Sequence, residues 1–261
     1  MHQNRIIPCL LLHNKGLVKT VKFKNPVYLG DPLNAIRLFN EKEVDELIFI
    51  DIDRLGEGAR PDYALIESIA SECFMPLCYG GRVRTIEQMR QIFALGVEKI
   101  SLSSAAVNNP DLVRKASEIF GSQSVTVTMD VKKSLLGTYQ VYTENGTKNT
   151  RLNPVLWAKT VADLGAGEIL VNSIDQDGVM KGYDLKLVQE VTKSVNIPVI
   201  ALGGAGKLKD LKDVIHTSHA SAAAAGSLFV FTGIHKAVLI NYPTREVIDD
   251  ILTYTKPEEI L

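Results

Sequence analysis

Sulfur chemistry is scarce in this 261-residue chain: Cys9, Cys73 and Cys78 are its three cysteines, and no two form a C-x-x-C pair. An odd, scattered set argues against a disulfide framework or a cysteine metal cage, and predicts small buried apolar groups instead. Tryptophan occurs once, at Trp157. No run approaches the roughly 18 apolar residues that cross a bilayer, and the N-terminus lacks a basic segment followed by an apolar one. An excess of one charge is also missing. Twenty-nine Lys and Arg against 30 Asp and Glu leave a net charge of -1, which gives no support for a nucleic-acid or membrane-surface binder. The five histidines, His2, His13, His216, His219 and His235, make no H-x-x-x-H pair. No metal or other cofactor is expected, and a reducing, cytoplasmic setting is the default.

What the chain does have is alternation. Short runs rich in Val, Ile and Leu recur at Ile6–Leu12, Glu46–Ile52, Pro76–Tyr79, Lys99–Leu102, Val125–Met129, Glu168–Val171, Pro198–Leu202 and Ala222–Ala225. They do not alternate in polarity, as expected of strands buried on both faces. Amphipathic helical patterns lie between them. Leu33, Ile36 and Phe39 follow Asp31-Pro32. Ile86 and Met89 follow Thr85. Leu112 and Ala116 follow Asn109-Pro110-Asp111. Leu156 and Val161 follow Asn153-Pro154, and Leu185 and Val188 follow Asp184. Each starts with a good N-cap or a first-turn proline. Eight strand-then-helix units predict a single α/β domain, a closed (β/α)8 TIM barrel. An open doubly wound sheet is the alternative.

The chain also repeats itself. ELIFIDID at 46–53 resembles EILVNSID at 168–175, and MPLCYGGRVRTIEQM at 75–89 resembles IPVIALGGAGKLKDL at 197–211. Glu46 and Glu168 lie 122 residues apart, as do Asp53 and Asp175. That period is too long for a solenoid repeat and fits two half-barrels, about 1–122 and 123–245, with a C-terminal helix to 261. Aligning the first strand with SVTVTMDVKK at 124–133 sets Leu11 against Asp130. One half ends its first strand with a carboxylate and the other with hydrocarbon.

In such a barrel, chemistry gathers at the C-terminal ends of the strands. Asp51, Asp53, Asp130, Asp175 and Asp177 fall there. Clustered carboxylates raise one another's pKa and suit acid–base work; Asp130 is the first candidate and Asp51 the second, with Asp53 and Asp175 read as structural. Turns after strands 3 and 7 carry Gly80-Gly81-Arg82 and Gly203-Gly204, and small-residue turns after strands 4 and 8 carry Ser103-Ser104 and Gly226-Ser227. Small residues and helix N-termini favour anions, so a ligand with two phosphates across the mouth is expected. Arg82, opposite Ala205 in the repeat, either contacts a phosphate or fills the pocket. At the other end, Arg5, Glu46, Lys99 and Glu168 sit near strand starts, two charges of each sign. Charges are costly inside a barrel unless paired, so a ring across the floor is expected. Segment 132–151 reads as an inserted β-hairpin over the mouth.

These words together resemble one family over nearly the whole chain. RIIPCL at 5–10, DEL-F-DI at 45–52, GSQ-V at 121–125, the Asp130 strand end, GAGEIL at 165–170, SID-DG at 173–178 and GGAGK at 203–207 match the cyclase subunit of imidazole glycerol phosphate synthase. The resemblance implies a two-fold barrel paired with a glutaminase. Ammonia would enter through a gate of Arg5, Glu46, Lys99 and Glu168, beside a partner contact at Glu98. At the mouth it would react with a bisphosphate ribonucleotide. Lys19, Asp51 and Asp177 would serve the ligand and Asp130 would be the general acid. The family's general base is an aspartate where this chain has Leu11; Arg82 stands for a glycine and Leu202 for a serine. The resemblance therefore implies a paralogue that conducts ammonia to another acceptor, or to a third, ATP-dependent amidotransferase, with surface polysaccharide synthesis as the expected setting. A working histidine-pathway cyclase, with Asp51, Asp53 or a water as base, and a non-enzymatic glutaminase-binding barrel are the alternatives.

Overall fold

The computed structural model of the protein describes residues 4–53, 59–134 and 136–253. Among them, eight parallel strands close into a barrel: β1 (Arg5–His13), β4 (Leu47–Asp51), β5 (Leu77–Gly80), β6 (Lys99–Leu102), β7 (Val125–Lys133), β10 (Glu168–Ser173), β11 (Val199–Leu202) and β12 (Ala222–Ala225). Each pairs with the next in that order, and β12 returns to β1 with Ile7 opposite Ala224. The (β/α)8 expectation is correct, with strand ends shifted by a residue or two except on β7, which runs four residues past Met129 to Lys133. The helices are α1 (Pro32–Glu41), α2 (Tyr63–Glu72), α3 (Ile86–Ala94), α4 (Ser104–Asn108), α5 (Asp111–Phe120), α6 (Pro154–Asp163), α7 (Leu185–Thr192), α8 (Leu208–Ser218), α9 (Ser227–Val230) and α10 (Arg245–Leu252).

The helix starts follow from local chemistry. The Asp31 side chain accepts the Asn34 amide ahead of Pro32, Asn153 accepts Val155 and Leu156 ahead of Pro154, and Thr85 and Gln88 form a reciprocal box. Such caps satisfy amides that the helix itself leaves without partners. Helices α2, α4, α8 and α9 are additions to those read from the sequence. The C-terminal helix ends at Leu252 as described, and residues 254–261 lie outside the described residues.

Strand period sorts the apolar side chains into two cores. On β1, Ile6, Leu10 and Leu12 pack in the shell between strands and helices. Ile7 and Cys9 join Ile48, Cys78, Leu170, Ile200, Leu202, Ala222 and Ala224 in the barrel interior. Barrel interiors are ordinarily filled by bulky branched side chains. Here Ile7, Ile48, Leu170 and Ile200 share that interior with the smaller Cys9, Cys78, Ala222 and Ala224. Cys9 and Cys78 are buried free thiols, and Cys73 is half-buried.

Two antiparallel excursions rise from this frame. The hairpin expected over 132–151 is there: β7 runs on to Lys133 and pairs with β8 (Tyr139–Thr143), which pairs with β9 (Lys148–Asn149). A second hairpin, β2 (Gly16–Val21) and β3 (Lys24–Gly30), folds back from β1 and has no counterpart among the strands read from the sequence. Its outer strand is exposed along most of its length, Val27 and Tyr28 included, so it carries little of the buried periodicity by which strands are recognised. A short pair, β13 (Phe231–Thr232) and β14 (Ala237–Val238), precedes α10.

The shell core carries the stability. Phe49 on β4 is fully buried there. Phe49→Ala is expected to cost about 3–5 kcal/mol of unfolding free energy, read as a lower urea midpoint with unchanged slope.

Candidate functional site

The floor of the barrel is a closed ring of charge. Arg5, Lys99 and Glu168 open their strands, and Glu46 immediately precedes β4. One Arg5 nitrogen bonds Glu46 and the other lies 2.5 Å from Glu168. The Lys99 amine reaches Glu46 at 3.0 and 3.1 Å and Glu168 at 3.0 Å. Cation and anion alternate round the circle, so each carboxylate has two cations and each cation two carboxylates. The carboxylates are the more deeply buried members, Glu46 at 2% exposure and Glu168 at 8%. Removing one member of such a set strands its partners without compensation. Glu98 is exposed next to the ring, and one of its oxygens accepts the Leu77 amide at 2.7 Å.

At the opposite end, the mouth divides into a polar wall and an apolar one. On the polar side, Asp130 of β7 accepts hydrogen bonds from Asn172 Nδ2 at 3.1 Å and Ser103 Oγ at 3.2 Å. Strand register fixes the first contact, because Asp130 lies directly opposite Asn172. Lys19, delivered by the unexpected hairpin, is buried and sits 3.6 Å from Asp177. Asp177 also accepts Thr20 Oγ1 at 2.6 Å and the Phe23 amide at 3.2 Å. On the other side, alternation along β1 turns Leu11 to the same face as Ile7 and Cys9, and its backbone register partner on β4 is Ile50. Leu202 ends β11 in the same apolar interior.

Arg82 is engaged. Its guanidinium bonds Asp51, with Nε at 2.8 Å, and a second nitrogen reaches Asp53 at 3.3 Å. Its backbone lies at φ 58°, in the left-handed region that a non-glycine residue enters at a cost. Asp53 in turn meets His13 Nδ1 at 2.6 Å and accepts the Asn14 amide. Asp175 accepts the Lys133 amide. The aspartates thus fall into separate groups instead of one cluster. Ser104 Oγ is taken by the Glu144 amide at the tip of the β8–β9 hairpin, and Asn145 from the same tip donates to the Ile52 carbonyl.

The glycine turns are sterically obligatory. A Cβ on Gly81, at φ 108°, would come within 2.3 Å of the Asp51 carbonyl oxygen, and one on Gly204, at φ 115°, within 2.1 Å of that of Gly182. A Cβ on Gly226 would meet the Lys19 amine at 2.7 Å, so this glycine makes room for the cation. Ser227 follows it, buried, at the start of α9. Among the described residues no group of three or more His, Cys, Asp or Glu could hold a metal ion.

Burial sets the acid strength of Asp130. Desolvation pushes its carboxyl up to about 6, against the pull of the Asn172 and Ser103 donors; the nearby Asp177 charge adds only a smaller push. Mutual repulsion among carboxylates, the reason expected from the sequence, is therefore secondary to desolvation. Asp51 is also raised, by burial first, with the Asp53 amide and Arg82 pulling the other way. Reasoning from residue types missed Asn172, Thr20, Ser101 and Thr128. The Ser101 and Thr128 hydroxyls lie 2.5 Å apart in the interior; alternation along their strands is the one signal that would have pointed inward.

A carboxyl whose pKa is higher in the folded than in the unfolded chain binds its proton more tightly when folded. Its contribution is fully present below about pH 4 and is lost as pH rises through about 6. Asp130→Asn removes that loss. The variant is expected to melt higher than the wild type at pH 7.5, by roughly 1–3 kcal/mol, with the gap closing toward pH 4. Thermal melts at both pH values check this, and a gap independent of pH would contradict it.

A sequence model described as histidine biosynthesis protein matches residues 5–235. A protein of Pseudomonas aeruginosa named as imidazole glycerol phosphate synthase subunit hisF2, the name itself marked provisional, is 53% identical over 249 residues, covering 95% of this chain and 99% of its own. A similarly provisional HisF of Leptospira interrogans is 53% identical over 247 residues, 94% of this chain and 97% of its own. The imidazole glycerol phosphate synthase subunit HisF of Alkaliphilus metalliredigens is 42% identical over 234 residues, 90% of this chain and 93% of its own. Coverage of this extent, on a closed barrel of eight parallel strands, means that the chain belongs to the histidine biosynthesis protein family, as a cyclase-type barrel of the HisF kind.

Proposed function

We propose that this chain pairs with a glutaminase subunit, takes up ammonia through the charged floor, and delivers it along the barrel to an acceptor at the C-terminal mouth, with ordinary cyclase chemistry curtailed at Leu11. The observation that carries the reading is the alternating ring of Arg5, Glu46, Lys99 and Glu168. Four buried or half-buried charges are an expensive way to plug a barrel that hydrocarbon could fill. A set of ion pairs that a docked partner can rearrange opens a path where a packed apolar plug would not. Glu98, exposed beside the ring, is in position for that partner.

At the mouth, Asp130 is the proton donor: with a pKa near 6 it holds a useful protonated fraction close to neutrality. Lys19, Asp51, Asp177, Gly81, Arg82, Ser103, Ser104, Gly204, Gly226 and Ser227 frame the ligand, with the glycine turns offering backbone amides to its phosphates. Arg82 holds Asp51 and Asp53, so its part is to shape this corner as much as to meet a phosphate. Leucine accepts no proton, and loss of a catalytic base typically removes about 10²–10⁴-fold of rate. Delivery to a different acceptor, including one held by an ATP-dependent amidotransferase in surface polysaccharide synthesis, fits an intact floor under an altered mouth. The two-half origin of the barrel, about 1–122 and 123–245, is part of the same reading. In support, β1 and β7, the first strand of each half, both run straight into an antiparallel hairpin.

A working cyclase of histidine synthesis is the second reading, favoured by Asp51 at the end of the strand next to Leu11 and Asp53 just beyond it. The Arg82 guanidinium faces both carboxylates, which leaves fewer lone pairs free to take a proton. A barrel that only binds and activates a glutaminase is the third.

Two assays separate the cyclase from the other two readings. The purified chain is expected to stimulate glutamine hydrolysis by a glutaminase subunit of the synthase; no stimulation would remove the first reading and the third. With ammonium salt and the bisphosphate ribonucleotide, turnover is expected to fall at least about 10²-fold below ordinary enzyme rates of 1–10³ s⁻¹, and Leu11→Asp to raise it. Wild-type turnover within that ordinary range would establish the cyclase instead.

A further inference from the structure

One wall of the barrel interior carries hydroxyls that the floor and the mouth do not use. Alternation turns Thr126, Thr128 and Asp130 of β7 inward, since Val125, Val127, Met129 and Val131 pack in the outer shell. Ser101 of β6 joins them, in register with Thr126 and bonded to Thr128. Glu168, a member of the floor ring, is the register partner of Thr126 on the other side, and Asn172 that of Asp130. Between those two rungs Leu170 is the partner of Thr128, so the polar strip from the ring to the mouth runs along β6 and β7. The facing walls offer Ile7, Cys9, Ile48, Ile200 and Ala224, all apolar or neutral.

Two atoms on this strip lack partners among the described residues. Thr126 Oγ1 and Asn172 Oδ1 are buried with no hydrogen bond to any of them, in residues 1% and 8% exposed. A buried polar atom without a partner is destabilising, and valine would fill the place of Thr126 at nearly the same shape. Such atoms in folded proteins ordinarily bind a small molecule that the polypeptide leaves room for. Residues two apart on a strand are about 6.6 Å apart. That is a little more than two hydrogen bonds in series, each about 2.9 Å, so one small molecule can link successive rungs. It must both donate and accept, since it meets hydroxyls. It must also be neutral, because the Glu46 and Glu168 carboxylates are already matched by Arg5 and Lys99 and an uncompensated buried cation is costly.

We propose that Thr126 forms a binding station inside the barrel for one small neutral hydrogen-bonding molecule, water at rest and ammonia in transit, with Asn172 Oδ1 as the matching acceptor at the exit. The passage of ammonia rests on the function proposed above; the station itself does not. Ammonia moving between the two stays hydrogen-bonded along the β6–β7 wall, and Asn172 releases it beside Asp130. No bond is made or broken along the strip.

Crystals of the full chain, free and soaked near neutral pH in hydroxylamine as a neutral ammonia surrogate, test the proposal. The expected result is a round density peak within hydrogen-bonding distance of Thr126 Oγ1 in the free crystal, replaced by elongated density after soaking. Both features are expected to disappear in Thr126→Val and to return in Thr126→Ser, which also guards against a valine variant that fails to fold. An empty, dry contact at Thr126 in the wild type would overturn the station, and a peak that hydroxylamine never replaces would overturn its role for ammonia. Glutaminase stimulation by the wild-type chain, measured in parallel, reports separately on the delivery reading. Its absence with hydroxylamine bound would sink that reading and leave the station standing.

Discussion

The alternation of two cations and two carboxylates around the barrel floor is the constraint on which the rest of the molecule depends. Strand geometry brings Arg5, Glu46, Lys99 and Glu168 to one level, although they are spread over 163 residues of chain. Each alone would be an expensive buried charge; together each neutralises two neighbours. The same four positions commit the interior above them. Above the floor the interior mixes small side chains, Cys9, Cys78, Ala222 and Ala224, with the bulkier Ile7, Ile48, Leu170 and Ile200, and places hydroxyls at Ser101, Thr126 and Thr128.

The mouth inherits that division. Its polar wall ends in Asp130, held by Asn172 and Ser103, and in the Lys19–Asp177 pair. Its apolar wall ends in Leu11, with Ile50 in register, and in Leu202. A buried carboxyl of raised pKa therefore stands on one side of the opening, with hydrocarbon on the other. Arg82 shapes the same opening. It holds Asp51 and Asp53 from a left-handed backbone position where glycine costs nothing.

Much of this was legible in the residues. Buried strand runs, capped helices and the spacing of ELIFIDID and EILVNSID were enough for the barrel, because its rules are local and periodic. The four floor charges could be read as a set because they recur at strand starts. What was hidden is of two kinds. The β2–β3 hairpin that delivers Lys19 and Thr20 has one largely exposed strand, so burial leaves little pattern in it. The partners of Arg82, Asn172 and Thr126 are fixed by register between strands far apart in sequence, such as Asp130 opposite Asn172 across 42 residues. Residue type placed Asp130 at the mouth, but the cause of its raised pKa is the desolvation that only packing supplies.

The proposed role of the floor ring is to couple this barrel to a glutaminase subunit. Glutamine hydrolysis by the glutaminase, measured at saturating wild-type or Arg5→Ala barrel together with the affinity of each complex, tests it most directly. The expected result is unchanged affinity within a few-fold and stimulation reduced at least about tenfold, a coupling change of about 1.4 kcal/mol. Equal stimulation by the two barrels at equal occupancy would contradict it.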